Sequence, residues 1–274
     1  RSTLFPYTTL FRSGRREQMA RQVRITAIKA IHAAGSGHPG GSLSAADILT
    51  MLYFHTMHID PQNPGARDRD KFVLSKGHAA PALYAVLAER GYFPKEEVMT
   101  LRKLGSPFQG HPNMRLVPGV EMSTGSLGQG MSASVGMALA NRLDGNPGHI
   151  YTLLGDGELQ EGIVWEAAMA AAHYRLSNLT AVVDWNGLQI DGKNEEVMTV
   201  APIDAKFQGF GWNVVQADSH SMKDLDQAFR QALDCRERPT VILAKTQKGH
   251  GVSFMEDQRS EEHTSELQSR SAIS

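Results

Sequence analysis

Two apolar runs, each ending abruptly at a polar residue, carry the strongest chemical signal in this chain. Ile150-Tyr151-Thr152-Leu153-Leu154 stops at Gly155-Asp156-Gly157, and Leu179 to Val183 stops at Asp184-Trp185-Asn186-Gly187. A helical pattern separates them, so the segment reads as a βαβ unit. Asp156 and Asn186 lie thirty positions apart, yet adjacent parallel strands bring both to one edge of a sheet. A carboxylate and an amide oxygen beside a helix N-terminus suit a hard cation that carries a phosphate. Gly155 and Gly157 let Asp156 turn toward that ligand and let backbone N–H groups face an anion. Mg²⁺ wants about six oxygens, several of them from phosphate and water. Asp156, Asn186, one backbone carbonyl, diphosphate oxygens and a water would complete the shell. Ca²⁺, with its looser geometry, accepts the same set. No Cys/His cluster points to zinc, and His55 and His58, three apart near a helix end, read as a solvated face.

The surrounding pattern must position these residues. Arg15 to Ala34 carries a helical stripe that stops at Gly35-Ser36-Gly37-His38-Pro39-Gly40-Gly41, a run expected to be irregular. Ser42 or Ser44 is then the expected N-cap of a helix from Ala45 to His55. Phe72-Val73-Leu74 reads as a strand ended by Ser75-Lys76-Gly77-His78, with helices over 79–91 and 95–104. Gly110-His111-Pro112 falls in a loop, and the glycine-rich 123–130 opens onto a helix through Leu143. Beyond the βαβ unit, 201–210 is expected helical, 212–215 a strand, 222–235 an amphipathic helix and 240–245 a strand. Strands alternating with helices predict a three-layer α/β/α doubly wound, mainly parallel sheet, with ligands at the carboxyl ends of the strands.

Composition narrows the class. The 274 residues are 41% hydrophobic and 21% charged with a formal net charge of −1. That balance argues for a soluble globular protein and gives no electrostatic reason to bind nucleic acid or a membrane. One cysteine, Cys235, excludes an internal disulfide and fits a cytoplasmic setting. No apolar run is long enough to span a bilayer. Residues 1–13 and 259–274 lack the pattern of the rest and resemble translated sequencing-adapter DNA. The expected fold therefore occupies 14–258, one α/β domain between two foreign or disordered tails.

GDGELQEG (155–162) followed by DWNGLQIDG (184–192) resembles the thiamine diphosphate motif of transketolases. SGHPGG (36–41), RDKFVLSKGHA (69–79), GHP (110–112), STGSLGQG (123–130) and KGHGVSFME (248–256) are similar to transketolase segments in transketolase order. The length is most similar to the N-terminal subunit of split transketolases, which holds only the diphosphate-binding domain. The resemblance implies the thiamine diphosphate-binding fold, thiamine diphosphate and Mg²⁺ as cofactors, and transfer of a two-carbon ketol unit between sugar phosphates. It implies Asp156, the Asn186 side chain and the Leu188 carbonyl as metal ligands. Gly157, Asn186 and His78 would contact the diphosphate, and Gly125, Ser126 and Leu127 the ring side of the cofactor. His38 and His111 match histidines that face the reacting carbon and the sugar hydroxyls, and Glu161 and Glu166 match acids at a subunit interface.

The resemblance also implies what the chain lacks. In the family, a glutamate that acts on the cofactor's aminopyrimidine comes from the pyrimidine-binding domain, so a separate C-terminal subunit is expected to supply it. A histidine in a WHG motif is expected after the VSFME segment, where the adapter-like sequence begins. Alternatives are another thiamine enzyme subunit, of deoxyxylulose-phosphate synthase or 2-oxo acid dehydrogenase E1 type, or a truncated, inert cofactor-binding protein.

Overall fold

In a computed structural model, residues 13–189 and 192–257 are described. Both chain ends, together with the expectation that they are foreign, fall outside those residues, apart from Ser13. Helix α1 (Ser13–Ala34) leads to α2 (Pro39–Met51), which ends in a short π turn at Leu52–Thr56. Strand β1 (Lys71–Leu74) and α3 (Ala80–Arg90) come next, and a long irregular stretch follows before α4 (Gln129–Leu143). The central unit is β2 (Ile150–Gly155), α5 (Gly162–His173) and β3 (Leu179–Trp185). After it come a two-stranded ribbon, β4 (Leu188–Gln189) with β5 (Gly192–Lys193), and the short helices α6 (Asn194–Val197) and α7 (Ile203–Gly209). The chain closes with β6 (Asn213–Asp218), α8 (Met222–Asp234) and β7 (Thr240–Lys245).

The main sheet is parallel throughout, in the order β1-β2-β3-β7-β6. Alternation along the strands builds two cores, because successive side chains point to opposite faces. Tyr151, Leu153, Val182, Ile242 and Ala244 pack with α1, α2, α3 and α8. Ile150, Leu154, Ala181, Val183, Val241 and Leu243 pack with α4, α5 and α7. Each fully buried Leu or Val contributes about 1.5–3 kcal/mol, so register is strongly fixed. The α/β/α sandwich expected from the sequence is the architecture found.

Three local expectations fail. The glycine run does not stay irregular to Gly41: α2 starts at Pro39, with His38 at the N-cap, and every one of its residues is buried. Proline pre-sets the first helical φ, and the glycines permit close packing. A Cβ on Gly40 would sit 3.0 Å from the Lys248 side chain, and one on Gly41 would sit 3.1 Å from His78 Nε2. Ser42 and Ser44 are therefore inside the helix rather than capping it. The helix expected over 95–104 is only a 3₁₀ segment, Lys95–Thr100, because Arg102 turns to φ 59° and donates its N–H to Phe108 O. His55 is not on a solvated face; its Nε2 lies 3.0 Å from Asp226 Oδ1 on α8.

Candidate functional site

Parallel pairing aligns Gly155 with Asp184, so the ends of β2 and β3 present Asp156 and Asn186 side by side. Asp156 is buried; its Oδ1 accepts the Gly157 N–H (2.9 Å) and its Oδ2 the Gly187 N–H (2.6 Å). Burial, and secondarily the charge of Asp184, raises its pKa to about 6. The Asn186 amide is oriented from both ends. Nδ2 donates to Asp184 Oδ1 (3.3 Å) and Oδ1 accepts the Leu188 N–H (3.0 Å), which turns the carbonyl oxygen away from Asp184. Leu188 lies in β4, directly beyond this turn.

Beneath this pair lies a buried network that no local sequence pattern singled out. Asp184 is fully buried, and its Oδ2 accepts from Lys76 Nζ (2.5 Å) and Ser44 Oγ (2.6 Å), while Thr246 Oγ1 donates to Oδ1. Burial raises the Asp184 pKa, but the Lys76 charge and these donors outweigh it and hold the carboxyl below its ordinary range. Glu158, also buried, ties three loops together. It accepts from Ser75 Oγ, from the Gly128 N–H (2.7 Å) and from the Gly155 N–H (3.0 Å). The Gly128 N–H at the start of α4 is thus committed to Glu158. The available signal was a charged residue at the end of a buried strand, since such groups persist only when paired.

The glycine loops converge on the same edge. A Cβ on Gly77 would lie 2.8 Å from Gly125 N, and one on Gly125 would lie 3.1 Å from His111 Cδ2. Gly125 therefore stands between the His78 turn and the His111 loop, with Ser126 exposed and Leu127 half-buried just after it. His38 and His78 meet edge to face at 5.5 Å. The Tyr84 hydroxyl reaches the carbonyls of Gln109 (2.9 Å) and His111 (3.0 Å) and anchors that loop. Arg102 Nη1 donates to Ser36 Oγ (3.1 Å), joining the His38 and His111 segments. Partial burial, then the neighbouring His38 and Arg102, lower the His111 pKa. Glu161, just before α5, and Glu166, on it, are exposed, and a Cβ on Gly128 would lie 3.1 Å from Glu161 Cβ, so Glu161 adjoins the glycine-rich loop.

The residues fit a metal–diphosphate. Asp156 is a buried carboxylate that makes no salt bridge among the described residues, and burial together with the neighbouring Asp184 charge disfavours its ionised form. Asn186 adds an oriented amide oxygen, and the oxygen-only donor set suits Mg²⁺.

Comparison with known proteins decides the family. Residues 15–272 match the family described as "Transketolase, thiamine diphosphate binding domain". The chain belongs to the transketolase family. Its function is accordingly that of a transketolase chain, a transferase that works through thiamine diphosphate. It is 48% identical over 240 residues to the 6-deoxy-6-sulfo-D-fructose transketolase subunit of a Clostridium species, covering 88% of this chain and 87% of that one. It is 41% identical to an apulose-4-phosphate transketolase subunit of Phocaeicola vulgatus, covering 88% and 85%. Human transketolase is 45% identical over 245 residues, 88% of this chain but 38% of the human one. Among solved structures, Campylobacter jejuni transketolase superposes with a TM-score of 0.85 at 33% identity, covering 91% of this chain and 40% of that one. The Pichia stipitis enzyme gives 0.83 at 36% identity, over 87% and 37%. The chain thus spans about two fifths of the full-length transketolases it matches and most of the subunit-type relatives. Among the described residues, no helix is long and apolar enough to cross a membrane.

Proposed function

We propose that this chain is the diphosphate-binding subunit of a two-component transketolase that moves a two-carbon ketol unit from a ketose phosphate to an aldose phosphate. The observation that carries the reading is the pairing of Asp156 and Asn186 at the ends of adjacent strands, over a buried Asp184–Lys76 pair. Asp156, the Asn186 amide oxygen and the Leu188 carbonyl would hold Mg²⁺; Ca²⁺ accepts the same oxygens. Gly157, Asn186 and His78 would hold the diphosphate, and Gly125, Ser126 and Leu127 would line the ring side. Bound thiamine diphosphate supplies the carbon nucleophile and electron sink for C–C bond exchange. His38 and His111 would face the sugar substrate. Partial burial favours the neutral form of the His111 imidazole, able to take a proton from a hydroxyl or donate an N–H bond to its oxygen.

A C-terminal partner subunit would complete the site with its pyrimidine-binding domain and glutamate, docking over the α5 side where Glu161 and Glu166 are exposed. Two relatives of similar length are themselves named as subunits, which supports this division. The expected setting is the cytoplasm, within the fold boundaries 14–258. Sugar phosphates are the expected substrates, and 6-deoxy-6-sulfo-D-fructose, in the name of the 48% relative, is the first other donor to assay. The test titrates thiamine diphosphate with Mg²⁺ into the chain alone and mixed with the partner, then measures ketol transfer. Metal-dependent binding with transfer only in the mixture supports the proposal. Binding without transfer in the mixture favours the inert alternative, and transfer by the chain alone refutes the division of labour.

A further inference from the structure

Outside the site, one titratable cluster joins four separate elements. Arg24 on α1 grips Asp47 on α2 with both guanidinium nitrogens, Nη1 at 3.1 Å from Oδ1 and Nη2 on Oδ2. Asp47 Oδ2 also meets His220 Nδ1 at 2.8 Å, in the turn after β6. His250 stacks on the His220 ring at 3.6 Å. A carboxylate and two imidazoles this close form the outline of a metal centre. The hydrogen bonds exclude that use. Arg24 already neutralises Asp47, and both His220 nitrogens are engaged, because Nε2 accepts the Gln247 N–H at 2.9 Å. With Asp47 fixed as an acceptor, Nδ1 must carry the proton and Nε2 must be the lone pair.

Gln247 lies between two residues that touch the cofactor seat. Thr246 donates to Asp184, and the Lys248 side chain packs on Gly40 at the start of α2. The Gly249 N–H also donates to Gly40 O (3.2 Å). We propose that His220 is a positioning residue for the cofactor seat: the Arg24–Asp47–His220 relay presents one imidazole lone pair that clamps the 246–251 segment against Asp184 and α2. The proposal rests on the cofactor reading of the site, which the test keeps separable.

Two isosteres dissect the ring. In His220→Asn the amide reaches only the Nδ1 position, so it keeps the bond to Asp47 and loses the acceptor for Gln247. In His220→Gln the side-chain oxygen reaches the Nε2 position, so it keeps the acceptor and loses the bond to Asp47. Hydrogen exchange of the 247–251 amides in the cofactor-free chain reads the clamp, and titration with thiamine diphosphate and Mg²⁺ reads its consequence. His220→Asn should speed Gln247 exchange and weaken cofactor binding, each about tenfold, the range expected for one lost partner behind a metal site. His220→Gln should stay within about twofold of the unsubstituted chain in both. If His220→Asn proves unfolded, His220→Gln alone decides, since strong weakening there overturns the clamp. Equal behaviour of the two variants, or an unchanged His220→Asn, also overturns it. An unsubstituted chain that binds no cofactor overturns the functional reading, and amide exchange still decides whether the clamp exists.

Discussion

Replacing Lys76 by Met tests the buried network under the site most directly. Lys76 is 1% exposed and Asp184 0% exposed, and their charged atoms are 2.5 Å apart. Breaking a buried ion pair by removing one partner costs about 3–5 kcal/mol, because the remaining charge loses its compensation. Here Ser44, Thr246 and Asn186 still donate to Asp184, which pulls the figure toward the lower end. Lys76 Nζ also donates to Gly41 O (3.2 Å), and losing that bond adds about 1 kcal/mol. The expected loss is therefore about 4 kcal/mol, read as the shift in the urea midpoint of the cofactor-free chain multiplied by an unchanged slope. For a domain of this size that corresponds to a fall in Tm of roughly 8–16 °C. The double variant Lys76→Met, Asp184→Asn removes both charges and should recover about 2 kcal/mol relative to Lys76→Met alone. A Lys76→Met loss under about 1 kcal/mol, or additive single and double variants, would falsify the view that this pair holds the strand ends together.

Three further outcomes follow from named contacts. Asp156→Ala should weaken Mg²⁺-dependent thiamine diphosphate binding at least about tenfold, measured by tryptophan fluorescence; unaltered affinity removes Asp156 from the metal seat. His38→Ala should cut turnover of the assembled enzyme by about 10²–10⁴-fold with only a modest change in cofactor affinity, the signature of a group that handles protons rather than one that holds the cofactor. His149 is remote from the site. Burial, and then Arg236, lower its pKa to about 4, and its Nε2 meets Thr180 Oγ1 at 2.8 Å. The unfolded imidazole takes up a proton below its ordinary 6.5 while the folded one stays neutral to about 4. Stability from this group is thus full above pH 6.5 and falls by up to ~3 kcal/mol as the pH drops to 4. His149→Gln should flatten that slope in urea titrations, and an unchanged slope assigns the acid sensitivity elsewhere.

By itself the sequence determined the layers, the strand ends and the pairing of Asp156 with Asn186. Apolar alternation and abrupt polar stops are local facts, and parallel βαβ geometry converts Asp156 and Asn186 into neighbours without further information. The strand over 240–245 matches residue for residue for the same reason. It misplaced the start of α2, because proline and glycines that look like a linker form a helix once Lys248 and His78 pack against them. It also passed over Lys76, Asp184, Glu158 and Thr246: Asp184 is 62 positions from Thr246, 108 from Lys76 and 140 from Ser44, and Glu158 is 83 from Ser75. A charge at the end of a buried strand signals that it is paired, but a local pattern does not name the partner. Only the tertiary structure decided that, by removing water from these groups and setting each against the one partner able to replace it.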